Sequence, residues 1–81
     1  MTPFYRHYKN RYYQVVGEAL DTHDDSRVLV YRTLYSAAYS LFTRPEGEFF
    51  GVVRLPDGSE VLRFTPVNYD ELPEDARSRV V

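Results

Sequence analysis

Val28-Leu29-Val30-Tyr31-Arg32-Thr33-Leu34-Tyr35 is the stretch that decides the fold class. Val28, Val30, Arg32 and Leu34 alternate with Leu29, Tyr31, Thr33 and Tyr35. A period of two, carried by β-branched and aromatic residues, predicts a strand. Large side chains in both sets place that strand inside its sheet rather than at an edge.

The flanking segments repeat the pattern. Residues 12–20 put Tyr13, Val15, Gly17 and Ala19 on one face and Tyr12, Gln14, Val16 and Glu18 on the other. Gly17 within that run predicts a bulge or a sharp bend. Asp21-Thr22-His23-Asp24-Asp25-Ser26 is a turn by composition. On the other side, residues 40–44 form a shorter predicted strand closed by Pro45, and residues 45–48 a single helical turn or tight loop. Residues 49–55 and 60–65 are expected to be strands around Pro56-Asp57-Gly58-Ser59, where the Asp-Gly step signals a hairpin. Five or six short strands in so few residues imply an all-β domain, either a small barrel or a strongly bent antiparallel sheet. That domain is expected to occupy residues 1–65. Beyond Pro66, Asp70, Glu71, Glu74 and Asp75 accompany no strand pattern, so residues 66–81 are expected to form an acidic C-terminal tail that lies on the barrel or frays.

Composition bounds the rest. Eighty-one residues hold one domain, and 43% hydrophobic with 27% charged residues is ordinary for a globular chain. Eight Tyr and five Phe supply most of the large apolar area. No Cys is present, which excludes disulfides and thiolate metal sites. Small secreted domains usually need such staples, and no apolar signal or membrane segment is visible, so a cytoplasmic location without membrane association is expected.

Basic and aromatic residues are neighbours throughout: Tyr5-Arg6-His7-Tyr8-Lys9, Tyr31-Arg32, Phe42-Thr43-Arg44 and Arg63-Phe64. These residues resemble a bacterial family known as the domain of unknown function number sixteen fifty-three. Its opening Tyr-Arg-His-Tyr-Lys is matched by residues 5–9, and its Tyr-x-Val-x-Gly-x-Ala by Tyr13, Val15, Gly17 and Ala19. Its Val-Val-Tyr-Arg-x-Leu-Tyr is similar to residues 29–35, its Arg-Pro to Arg44-Pro45 and its closing Arg-Phe to Arg63-Phe64. The chain departs from the pattern at Asp21, Phe42, Glu48 and Leu62, where the family has His, Trp, Met and Pro. The resemblance implies a compact β-rich domain, with an SH3-like barrel the expected form, and implies no activity.

Four kinds of chemistry compete. His7, among Arg6, Tyr8 and Lys9, has positive neighbours that disfavour its imidazolium, and a neutral His beside Tyr hydroxyls is a candidate acid or base. No nucleophile turn accompanies it, so a small enzyme using His7 ranks third. Asp21, His23, Asp24 and Asp25 lack the spacing of a calcium loop, and two His make no strong zinc site, so neither a metal nor any other cofactor is expected. Arg6, Lys9 and Arg11 among tyrosines suit single-stranded nucleic acid or a nucleotide. Twelve acidic residues and a pI of 5.6 oppose a phosphate backbone, which makes this the alternative rather than the main reading. Arginines near strands have two accounts: a structural one, stacking on Tyr rings and pairing with Glu18, Glu48 or Glu60 across strands, and a groove for a carboxylate, phosphate or peptide. The expected function is therefore a non-enzymatic binding module for a small anionic ligand or a peptide or protein. Its expected surface is Tyr5, Arg6, His7, Tyr31, Arg32, Tyr35, Arg44 and Arg63.

Overall fold

The computed structural model describes residues 2–81. Seven strands follow in order: β1 (Phe4–His7), β2 (Tyr12–Asp21), β3 (Ser26–Thr33), β4 (Leu41–Pro45), β5 (Val52–Arg54), β6 (Glu60–Leu62) and β7 (Phe64–Val67). One helical turn, α1 (Glu46–Phe49), separates β4 from β5, and a second, α2 (Glu74–Arg77), follows a 3₁₀ turn at Tyr69–Glu71. The main sheet is antiparallel with order β4-β3-β2-β1-β7, and β5–β6 form a separate two-stranded ribbon. The fold is all-β as expected, and of the two expected forms it is the bent sheet, because the order leaves β4 and β7 as edges instead of closing a barrel. β3 lies inside the sheet, with β2 on one side and β4 on the other.

Local chemistry accounts for the turns. Asn10 takes a left-handed conformation (φ 67°) between β1 and β2, and Asp25 does the same (φ 57°) between β2 and β3. Both residue types tolerate that region better than most. The Asp21 carboxylate accepts from the His23 N–H and the Asp24 carboxylate from the Ser26 N–H, so these acids brace their own loop. Gly58 (φ 87°) closes the β5–β6 hairpin at the expected Asp-Gly step. The expected irregularity near Gly17 is a register shift: Val15 pairs with Tyr31 and Gly17 with Val30, which leaves Val16 as the extra residue.

Each face of the sheet has its own core. On one, Tyr5, Tyr13, Leu29, Tyr31 and Phe64 surround Phe49, which is fully buried. Residue 49 was expected to begin a strand, but only Val52–Arg54 is extended there. Phe49 ends α1 instead, and that turn carries its ring inward until it stacks on Phe64, with centroids 4.0 Å apart and planes 7° apart. The chain then reverses at Gly51, where a Cβ would lie 3.0 Å from the Gly47 carbonyl oxygen.

The second face corrects the expected tail. The boundary at residue 65 falls inside β7, whose Pro66 and Val67 pair with Tyr5 and Phe4. Pro66 is tolerated because β7 is an edge strand. Beyond it, Leu72 and Ala76 are each only 2% exposed and pack with Phe4, Leu34 and Val67. The Gln14 side chain pins residue 81 in two places, donating to the Val81 carbonyl at 2.9 Å and accepting from its N–H at 3.1 Å. Residues 68–81 are thus a cover over the second core. The acidic composition hid Leu72, Ala76 and Val80, which reach this core from a 3₁₀ cap, the α2 turn and the terminal segment in turn.

Leu72→Ala is expected to destabilise the protein by about 2–5 kcal/mol, the range for a buried Leu truncated to Ala. Urea unfolding of the variant measures this, and removal of residues 69–81 is expected to abolish the cooperative transition.

Candidate functional site

Which side chains meet is decided by strand register. Tyr5 opposes Tyr13, Val15 opposes Tyr31, Tyr31 opposes Phe42, and His7 opposes Phe64. Directly opposed residues in antiparallel strands share a face. His7, Tyr13, Tyr31, Phe42 and Phe64 therefore converge, and with Thr43 and Arg44 they line a cleft of about 240 Å³. Its walls are rings in edge-to-face or tilted contact, with centroids 4.9 Å apart for His7–Phe64, 5.3 Å for Tyr13–Tyr31 and 5.9 Å for Tyr31–Phe42.

Arg44 supplies the cationic group. Its Nε donates to the Tyr31 hydroxyl at 3.3 Å, one amino group pairs with the Glu48 carboxylate, and the guanidinium lies 5.9 Å from the Phe64 centroid. Burial, then Arg44, Arg63 and Lys9, hold the His7 imidazolium below the usual histidine range. His7 Nδ1 accepts from the Lys9 N–H at 3.2 Å, which puts the proton of the neutral ring on Nε2. The Tyr13 hydroxyl bonds that of Tyr35 at 2.8 Å, and burial together with this bond raises Tyr13 far above the ordinary phenol value.

The expected Arg/Tyr surface is not one surface. His7, Tyr31 and Arg44 share the cleft, and Tyr35 reaches it through Tyr13. Tyr5 is buried behind it against Phe49 and Phe50. Arg63 lies close enough for its charge to bear on His7, with its Nε buried and unpartnered. Arg6 and Arg32 oppose Tyr12 and Gln14, so they belong to the other face of the sheet. The reason is elementary: adjacent strand residues point opposite ways, so Tyr5-Arg6 and Tyr31-Arg32 must be divided. Tyr13, Phe42, Thr43 and Phe64 are the cleft residues absent from the expected set. Their signal was the same alternation, since Tyr13 and Tyr31 each fall on one regular face of their strands, but only pairing register shows that those faces meet. Among the described residues, no group of three or more His, Asp or Glu side chains is arranged to hold a metal.

Because the folded state binds the His7 proton less readily than the unfolded chain does, stability rises with pH through the window below about 6.5. The penalty is absent above that value and grows as pH falls through it towards the depressed folded value. The urea midpoint is expected to drop between pH 7.5 and 5.5, and His7→Gln to flatten that part of the profile.

Comparison with known proteins places this architecture. A model of the family described as protein of unknown function (DUF1653) matches residues 3–66. No curated protein matches the chain. A crystal structure of a DUF1653 protein from Bordetella bronchiseptica is similar at a TM-score of 0.72 and 32% identity, over 83% of this chain and 86% of that one. An aromatic-cored bent sheet, a matching model over most of its length and a similar solved structure together make this chain a member of the DUF1653 family.

Proposed function

We propose that the protein is a non-enzymatic binding module whose ligand is a small anion with an apolar body, held in the cleft between His7 and Arg44. The observation that carries this reading is Arg44 at an aromatic-walled cleft with only two of its five N–H donors engaged, one by Tyr31 and one by Glu48. A partly desolvated guanidinium with free donors favours an oxyanion, and the rings beside it favour an apolar body. The cations around His7, Arg44, Arg63 and Lys9, add to the local potential.

Two other readings have less support. His7 makes its hydrogen bond locally, with the Lys9 amide, rather than with a carboxylate that would orient it as a base. A nucleic-acid strand needs cations along its track, whereas Arg6 and Arg32 sit across the sheet from the aromatic cleft. No described helix is long and apolar enough to cross a membrane.

A panel of small carboxylates, phosphates and sulfonates, titrated into isotope-labelled protein, tests the reading. Shifts are expected at His7, Tyr13, Tyr31, Phe42 and Phe64. Arg44→Gln should weaken binding at least ten-fold, while Arg32→Gln on the opposite face leaves it unchanged. Shifts gathered instead at Asn10, Arg11, Asp75 and Ala76, which line a separate cleft, would place the site elsewhere.

A further inference from the structure

We infer that the cleft takes a carboxylate carried on a single planar ring, and that the chain's own Glu48 holds the carboxylate's place on Arg44 until the ligand displaces it. This rests on the binding reading above and narrows it to a ligand class and a built-in competitor.

Size sets the first limit. A cavity of about 150 Å³ accepts benzene, and drug-sized ligands occupy about 300–1,000 Å³. At about 240 Å³, the open cleft has room between its walls for one ring with a small substituent. The walls agree, since Tyr13, Tyr31, Phe42 and Phe64 present ring faces and edges.

Guanidinium geometry supplies the second limit. A carboxylate binds Arg most specifically through two parallel N–H···O bonds, using either the two terminal amino groups or Nε with one of them. Tyr31 occupies Nε, a donor of one paired edge, and Glu48 is bonded to Nη1, an amino group of the other. A ligand carboxylate on the first edge must displace Tyr31, and one on the second must share Nη1 with the like-charged Glu48 carboxylate. Tyr31 is 3% exposed and wedged among Tyr13, Phe42, Phe49 and Phe64, so it cannot withdraw. The Glu48 side chain is 46% exposed and can swing into water. Glu48 is therefore the exchangeable partner, and its own carboxylate already shows the group that this edge of Arg44 accepts.

Glu48→Gln removes the competing charge while keeping the shape of the side chain. Benzoate is the probe, titrated into the full chain and followed by NMR shifts and calorimetry. Glu60→Gln, on the β5–β6 ribbon, makes the same change in net charge away from the cleft and controls for it. Exposed ion pairs are weak, so Glu48→Gln is expected to bind benzoate up to about five-fold more tightly than wild type. Glu60→Gln should match wild type, and phenyl phosphate should bind less tightly than benzoate. Glu48→Ala should reproduce the gain if the Gln variant melts abnormally. Benzoate affinity unchanged in both Glu48 variants, or an equal gain in Glu60→Gln, would overturn the competition while leaving the cleft as the binding site. Arg44-dependent binding of phenyl phosphate in preference to benzoate would overturn the ligand class. Absence of any anion binding in wild type and both Glu48 variants would overturn this inference and the binding reading together.

Discussion

The stack of Phe49 on Phe64 is the contact on which the rest of this structure depends. Phe64 is on β7, at one edge of the sheet, and Phe49 arrives from the turn that follows β4, at the other edge. Their parallel rings tie the two edges of an open five-stranded sheet across one face, which is why the sheet is held bent without closing. Tyr5 and Tyr31 meet Phe49 edge-on at 5.1 and 5.3 Å, so strands between the edges are gathered by the same ring. Aromatic pairs of this kind contribute roughly 0.5–1.5 kcal/mol each beyond their area burial, and here they are concentrated at one point.

The same turn shapes the cleft. Carrying Phe49 inward takes one helical turn directly after Pro45, and that turn puts Glu48 four residues from Arg44, within reach of its guanidinium. Packing and electrostatics are therefore linked: the residue that completes the core also determines which partner Arg44 has. Tyr31 is linked in both directions, since its ring is in the core and its hydroxyl accepts from Arg44. A change in how Phe49 packs would be felt at Arg44 even though the two do not touch through polar atoms.

Economy explains the other face. A domain of this size buries too little surface to leave either side of its sheet in water. The C-terminal segment solves this with few residues, because Leu72 and Ala76 cover Leu34 and Phe4 while their acidic neighbours remain solvated. Gln14 completes the closure by imitating a strand, with its amide oxygen and nitrogen pairing to the backbone of Val81. Some desolvation is left uncompensated. The Nε atoms of Arg32 and Arg63 are buried without partners, an uncommon state for such donors and one that costs stability.

The sequence by itself determined the local structure. Alternation in residues 28–35 and 12–20 specified strands, Asp57-Gly58 specified a hairpin, and Gly17 marked the bulge, because each is set by neighbours within a few residues. The same reading identified His7, Tyr31 and Arg44 as residues of interest from the adjacency of rings and bases. Only the tertiary structure decided which of those residues face one another. Register between strands distant in the chain brings His7 to Phe64 and Tyr31 to Phe42, and it sends Arg6 and Arg32 to the opposite side. Likewise, nothing local distinguishes a solvated acidic tail from a cover. Leu72 and Ala76 have meaning only against the apolar patch formed by Phe4, Leu34 and Val67, which exists once β1, β2, β3 and β7 have assembled.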